Sequence, residues 1–147
     1  MKYLIAAAVF AFATPVLAVD PVVGDPVVGE ADFKKCKACH SITAADGTAI
    51  QKGGKTGPDL FGVIGRQIGT LEGYKYSAGM IAAGADGTVW DEVMLATYLV
   101  DPAKWLQDKT GDAAAKSKMS FKLKTGGENI AAYLVSLNPV TPVTPAP

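Results

Sequence analysis

Apolar residues recur every three or four positions in several stretches of the chain, which is the spacing of an amphipathic helix. The clearest example lies over 88–100, where Trp90, Val93, Met94, Tyr98 and Leu99 supply the apolar positions. Similar but shorter patterns occur before residue 36 and after residue 124. The predicted helices cover 26–35, 76–83, 88–100, 102–107 and the stretch from the Thr125–Glu128 capping box to about 137.

Capping residues indicate where these helices begin. Asp25 followed by Pro26 predicts an N-cap and a first helical position, and we expect Val28 and Phe33 to lie among the buried residues of this helix. Thr88 with Asp91 approximates a second capping box. Asp101 and Pro102 together end the helix before them and begin the next one.

Residues 41–73 are rich in Gly, Thr and Asp and show no regular period. We predict a long irregular segment with turns there, and no β-hairpin. An irregular segment of this length is unusual in a compact domain unless it wraps around something. The sequence therefore predicts an all-α fold of about five helices with long loops.

The two ends of the chain differ from the region between them. Met1 and Lys2 precede a short apolar run, and small residues at Val16 and Ala18 fit a signal-peptidase site, so we expect 1–18 to be a cleaved signal peptide. A membrane anchor is the alternative. We expect the domain to cover 19–138 and the Pro-rich 139–147 to form an extended tail. The mature protein would be exported, soluble and periplasmic.

Composition and charge exclude several classes of protein. The chain has 147 residues, enough for one domain, and its 14 basic and 14 acidic residues give a formal net charge of zero. A dominant nucleic-acid role usually shows a basic excess, so we expect no nucleic-acid partner. With 2 cysteines and 1 histidine, multi-finger zinc sites and multi-disulfide scaffolds are excluded.

Both cysteines and the histidine fall within the five residues Cys36–His40, in the order Cys-Lys-Ala-Cys-His. This spacing is the attachment signature of a c-type haem, because two thiols three residues apart reach the two vinyl groups of one porphyrin edge and the next residue directs an imidazole at the iron. The alternatives are a structural disulfide, a thioredoxin-like pair and a zinc site. The thioredoxin-like pair lacks its βαβ context, and the zinc site lacks a fourth Cys or His ligand.

An iron bound by His40 has a sixth coordination position, and a thioether is the candidate because no second histidine is present. Three methionines remain after the signal peptide. Met80 and Met94 lie among apolar residues, where core packing explains them. Met119 lies between polar neighbours, so the sequence favours Met119 and leaves the other two open.

Several ordered motifs together resemble the class I c-type cytochromes, and closely the bacterial cytochrome c2 branch. The resemblance extends from Asp25 to Leu137. Two regions depart from the family pattern: 111–118 looks like an insertion, and the tail has no counterpart. The matching pieces are Gly29 with Phe33, Cys36–His40, Thr56–Leu60, Gly65–Arg66, Gly73–Tyr76, Thr88–Trp90, Tyr98–Pro102, Lys118–Phe121 and Ala132–Leu134.

The resemblance implies a class I cytochrome c fold around one haem c. Cys36 and Cys39 would form thioethers to it, and His40 and Met119 would be the axial ligands. The carbonyl of Pro58 would accept the other ring N–H of His40, which fixes the orientation of the imidazole.

Four further side chains would line the haem pocket in this family. Tyr98 would direct its hydroxyl toward the Met119 sulfur. Trp90, Tyr76 and Arg66 would surround a haem propionate. An ordinary core tyrosine is the alternative for Tyr98, and an ordinary turn proline is the alternative for Pro58.

A haem with both axial positions filled leaves no room for a substrate, so we expect a monomeric one-electron carrier and not an enzyme. The resemblance implies transient partners: a quinol-oxidising cytochrome complex as donor, and a photosynthetic reaction centre or terminal oxidase as acceptor. A peroxidase-like haem protein and a haem-free thiol protein are the alternatives. Lysines near the cysteine motif and near Met119 predict a docking surface for an acidic partner. The alternative is a basic face that only contacts solvent. These lysines are Lys34, Lys35, Lys37, Lys116, Lys118, Lys122 and Lys124.

Overall fold

The computed structural model describes residues 24–137, and over that range the chain is mainly helical. The signal segment predicted over 1–18 and the Pro-rich tail predicted over 139–147 lie outside the described residues. Within 24–137, none of the helices has the length and hydropathy to cross a bilayer. The helices are α1 (Pro26–Asp32), α2 (Ala78–Ala83), α3 (Glu92–Val100), α4 (Pro102–Thr110) and α5 (Gly127–Leu137), with a 3₁₀ helix over Phe33–Lys35 and two short strands, β1 (Ile42–Thr43) and β2 (Ala49–Gln51).

Helix α1 begins as its sequence predicts. The Asp25 carboxylate accepts from the N–H groups of Val27 and Val28, at 2.8 and 3.2 Å. The prediction that Val28 is buried is wrong, because its side chain is 43% exposed. Gly29 and Phe33 lie on the buried face instead, and Val28 points about a quarter turn away from Gly29.

Helices α1 and α5 cross at close range. A Cβ atom on Gly29 would lie 1.9 Å from the carbonyl oxygen of Asn129, so only glycine allows the two backbones to approach this far. Beside the crossing, the rings of Phe33 and Tyr133 pack with their centroids 5.8 Å apart. The hydroxyl of Tyr133 also accepts from the side-chain amide of Gln51 at 2.9 Å, which ties the strand β2 to α5.

Helix α3 begins four residues later than predicted. Asp91 is its N-cap and accepts from the Met94 N–H at 2.6 Å, so the capping box predicted from Thr88 is wrong. Residues 88–90 instead pair with 65–68 as extended chain, and the Trp90 N–H donates to the Arg66 carbonyl at 2.9 Å. Long-range pairing therefore displaces the helix start, and it brings Arg66 next to Trp90.

Three further details differ from the prediction. Helix α4 continues to Thr110 and ends at Gly111, whose left-handed backbone (φ 70°) closes the helix. The prediction of no hairpin is also wrong, because β1 and β2 pair antiparallel across the turn that contains Asp46 and Gly47. An Asp-Gly pair is a hairpin signal that the sequence contained. Residues 52–73 form mainly turns and bends, as predicted, and α2 begins at Ala78, two residues later than predicted.

Candidate haem site

A cavity of about 400 Å³ lies in the middle of the fold, surrounded by the irregular segment and helices α2, α3 and α5. Its volume is within the usual range of cofactor sites, about 300–1,000 Å³. The lining is mainly apolar, with a few polar groups. Every pocket residue predicted from the sequence contributes to this lining: Cys36, Cys39, His40, Pro58, Arg66, Tyr76, Trp90, Tyr98 and Met119.

The two cysteines lie on one helical turn that follows the 3₁₀ helix. The N–H groups of Cys39 and His40 both donate to the Cys36 carbonyl, at 3.1 and 3.0 Å. Burial raises the pKa of the Cys36 thiol to about 11, with the nearby Lys35 acting in the opposite direction. Reactive redox cysteines have a lowered pKa, so this environment does not favour thiol chemistry.

His40 is fixed by two neighbours in the same loop. Its Nδ1 lies 2.7 Å from the Pro58 carbonyl oxygen, which can only accept, so Nδ1 carries the proton and Nε2 is the available lone pair. Gly57 packs closely against the ring, where a Cβ atom would be 2.4 Å from His40 Cε1. Burial lowers the pKa of His40, which favours the neutral imidazole that binds metals.

Met119 lies in a loop that hydrogen bonds hold in place. Its N–H donates to Ser117 Oγ at 3.0 Å, and that oxygen lies 3.2 Å from the hydroxyl of Tyr98. The Tyr98 hydroxyl thus lies beside Ser117, and its contact with the Met119 sulfur, which the resemblance implies, stays a prediction. Met80 also lines the cavity from α2, but Met94 is not among the lining residues.

Two of the lining residues, Trp90 and Tyr98, belong to an aromatic cluster. Trp90 stacks on Trp105 with centroids 5.2 Å apart, and Tyr98 meets both rings edge-on. Trp105 was not predicted, although it follows the Asp101 N-cap by one helical turn. The cluster buries Tyr98, and that burial raises the pKa of its hydroxyl above the ordinary value.

Arg66 and Tyr76 are two of the polar residues in the lining. The guanidinium of Arg66 donates to the main-chain carbonyls of Asp59 and Phe61, at 3.2 and 3.4 Å. Burial lowers the pKa of Arg66 and raises that of Tyr76, but the arginine remains a cation at neutral pH. A cation and a phenol at the edge of an apolar cavity suit an anionic group such as a propionate.

The seven lysines of the predicted docking surface are all exposed. Three of them make contacts of their own. Lys35 pairs with Asp32 at 2.8 Å, Lys122 pairs with Asp101 at 2.6 Å, and the ammonium of Lys118 donates to the Lys75 carbonyl.

The donor set fits a covalently attached haem: two thiols, an imidazole with its free nitrogen defined, a thioether, and an arginine at the edge of an apolar cavity. No family model matches the chain. Comparison with known proteins nevertheless gives close relatives. The chain is 52% identical to cytochrome c2 of Rhodobacter capsulatus over 122 residues, covering 83% of this chain and 89% of that one. It is 48% identical to cytochrome c-550 of Paracoccus versutus over 126 residues, covering 84% and 82%.

Solved structures of the same two kinds of cytochrome are also similar to this chain. The structure of cytochrome c2 from Rhodobacter capsulatus superposes with a TM-score of 0.76 at 53% identity, covering 77% of this chain and 97% of that one. Ferric cytochrome c-550 from Paracoccus versutus superposes with a TM-score of 0.77 at 49% identity, covering 79% and 99%.

Fold and site together define a class I c-type cytochrome, an electron-transfer protein and not an enzyme. The chain belongs to the cytochrome c2 and c-550 family within that class. The predicted all-α cytochrome c fold is confirmed, and membership of this family implies a covalently bound haem c.

Proposed function

We propose that this protein carries single electrons in the periplasm with a low-spin haem c. Cys36 and Cys39 hold the haem through thioethers, and His40 and Met119 are its axial ligands. The electron comes from a quinol-oxidising cytochrome complex and goes to a photosynthetic reaction centre or a terminal oxidase. The protein works as a monomer that meets each partner transiently.

The fixed tautomer of His40 is the observation that carries the ligation proposal. Because Nδ1 donates to Pro58, only Nε2 is free to bind iron. The same cavity is lined by both cysteines and by Met119. Second-sphere partners of this kind orient a histidine ligand and set its donor strength.

A haem with two protein ligands supplies an iron that gains or loses one electron without binding a substrate. The chain's own residues then keep the rearrangement small. Pro58 accepts a hydrogen bond from the imidazole, Gly57 packs closely against it, and Ser117 holds the Met119 backbone. The apolar lining and the thioether donor favour the reduced state and raise the reduction potential.

The exposed lysines support a docking surface for an acidic partner. Lys34 precedes the cysteine motif and Lys37 lies within it, and Lys116 and Lys124 flank Met119. Within residues 24–137, the ion pairs of the predicted docking set are those of Lys35 and Lys122. A like-charged patch beside the redox site speeds encounter with an oppositely charged complex, and the effect weakens with salt.

We also propose where the signal peptide, the cytochrome domain and the C-terminal extension begin and end. Residues 1–18 are a signal peptide that is removed after Ala18, 19–138 form the cytochrome domain, and 139–147 form a Pro-rich extension. N-terminal sequencing of protein purified from the periplasm tests this: a sequence that begins at Val19 supports it, and retention of 1–18 contradicts it.

Visible spectra of the holoprotein test the ligand set. We expect a low-spin spectrum with a sulfur-to-iron charge-transfer band in the oxidised protein. Met119→Ala should remove the band and lower the potential, whereas the control Met80→Leu should retain it. A band that survives Met119→Ala and disappears in Met80→Leu would assign the ligand to Met80. A high-spin wild-type spectrum would favour an enzyme.

A further inference from the structure

Two stretches of backbone around the histidine run side by side and are joined at several points. The Gly57 N–H donates to the Cys39 carbonyl at 2.8 Å, and the Leu60 N–H donates to the Ser41 carbonyl at 3.0 Å. The bond from His40 Nδ1 to the Pro58 carbonyl lies between these two. The position of the Pro58 carbonyl therefore depends on how firmly 57–61 is attached to 39–43.

The carboxylate of Asp59 makes the side-chain part of that attachment. Its Oδ1 accepts from the N–H groups of Thr43 and Phe61, at 3.2 and 2.9 Å. Its Oδ2 accepts from the Ser41 hydroxyl at 2.9 Å. One side chain thus binds the residue after the histidine, the first strand, and its own loop, directly beside Pro58.

Asp59 also carries charge at this position. Burial works to raise the pKa of its carboxyl, but the hydrogen bonds from Phe61, Thr43 and Ser41 outweigh it and hold the pKa below the ordinary value. Asp59 directly follows Pro58, whose carbonyl accepts from His40 Nδ1 at 2.7 Å, so this charge lies one residue from the hydrogen-bond partner of the histidine.

Arg66 is a cation close to Asp59. Its guanidinium donates to the main-chain carbonyl of Asp59 and not to the carboxylate, so it offsets the negative charge only in part. A negative charge beside an iron ligand stabilises the oxidised iron, which carries one more positive charge than the reduced iron.

We propose that Asp59 is a positioning residue for His40 and a fixed negative charge that lowers the reduction potential of the bound haem. The inference rests on the proposed ligation of iron by His40. The two effects of Asp59 are separable, because one depends on its acceptor atoms and the other on its charge.

Asp59→Asn isolates the charge. The amide oxygen keeps the position of Oδ1 and its two N–H donors, and the amide nitrogen faces a serine hydroxyl that can accept. We expect the equilibrium constant for reduction of the holoprotein to rise about three- to tenfold, where tenfold is about 59 mV for one electron. Asp46→Asn is the matched control, because Asp46 accepts from the Thr48 N–H in a similar turn on the exposed hairpin. Its potential should equal that of the wild type.

Asp59→Ala isolates the positioning role, because it removes all three acceptor contacts. Exchange of the His40 Nδ1 proton, measured by NMR in the reduced protein, should be faster in Asp59→Ala than in Asp59→Asn. A potential in Asp59→Asn no higher than in Asp46→Asn overturns the charge effect. Equal exchange rates in the two Asp59 variants overturn the positioning role. The visible spectrum of the wild-type holoprotein is recorded in the same experiment. If it is low-spin with the charge-transfer band, the ligation proposal stands, and a negative result counts against the role of Asp59 alone.

Discussion

Gly57 packs closely against the imidazole of His40, and a larger residue at this position would overlap the ring. A Cβ atom at this position would be 2.4 Å from Cε1 and 2.6 Å from Nδ1 of the ring. These distances are far below van der Waals contact. The glycine therefore shapes the site by its lack of a side chain.

Gly57→Ala should displace the imidazole, because the added methyl group takes the space of the ring. We expect a loss of the low-spin spectrum, or failure to mature with haem. The control is Gly111→Asn, since nothing lies within 4 Å of a Cβ atom there and asparagine tolerates the left-handed backbone. An unchanged spectrum in Gly57→Ala would show that the loop relaxes freely and would contradict the packing argument.

Ser117 is the link between Tyr98 and the Met119 backbone, so its hydroxyl should control how easily the methionine loop opens. Ser117→Ala removes the acceptor for the Met119 N–H and the partner of Tyr98. We expect the oxidised variant to bind imidazole or cyanide faster than the wild type, measured by stopped-flow absorbance. Ser136→Ala serves as the control, because Ser136 lies on α5 and its hydroxyl donates to the Tyr133 carbonyl of the same helix. Equal binding rates in all three proteins would contradict the role of Ser117.

The crossing of α1 and α5 should be sensitive to a single methyl group. Gly29→Ala places a Cβ atom 1.9 Å from a backbone oxygen, and neither helix can yield without losing packing. We expect the free energy of unfolding to fall by about 1–3 kcal/mol or more, measured by denaturant titration of the holoprotein. Val28→Ala on the exposed side should change it by less than about 0.5 kcal/mol. A similar loss in both variants would argue against a specific crossing.

Asp86 provides a test of pH dependence away from the haem. Hydrogen bonds from the Thr88 hydroxyl and N–H, and then from Lys109, lower the pKa of its carboxyl from 3.8 to about 2. Because the folded-state pKa is depressed, the stabilisation is fully present above the ordinary value and is lost as the pH falls toward 2. Asp86→Asn should therefore be less stable than the wild type at pH 7, and the difference should shrink between pH 4 and pH 2. A difference that stays constant over that range would exclude the linkage.

The contacts of individual lysines refine the docking prediction. Lys118 and Lys122 already contact Lys75 and Asp101, so their replacement would disturb local structure as well as charge. The double variant Lys116→Gln/Lys124→Gln should instead slow electron transfer with an acidic partner at low ionic strength, with little change in potential. Laser-flash or stopped-flow kinetics over a range of salt concentrations measures this. A bimolecular rate equal to that of the wild type at low salt would exclude these lysines from docking.

The sequence alone identifies the parts of the site that are local. The cysteines and histidine lie within five residues, so their spacing carries its own chemical meaning. The N-cap of α1 is equally local, and the structure confirms it. The choice of Met119 depended on a thioether among polar residues, which is also visible in a short window.

Contacts between distant segments were not predictable in the same way. The start of α3 moved because 88–90 pairs with 65–68, and periodicity within one window cannot show such pairing. The contact of Tyr98 with Ser117 joins a helix to a loop, and the carboxylate of Asp59 joins two loops. Burial of Val28 was predicted from its apolar character, but the face of α1 is set by Gly29, which makes room for α5.

Carbon monoxide binding to the reduced holoprotein tests the central claim most directly. If His40 and Met119 fill both axial positions, the absorbance spectrum of the ferrous protein at neutral pH should not change when carbon monoxide is added. Met119→Ala should bind the gas readily and thereby show that access to the iron is possible. Rapid formation of a carbon monoxide complex by the folded wild-type protein would contradict the account, because the sixth position would then be open.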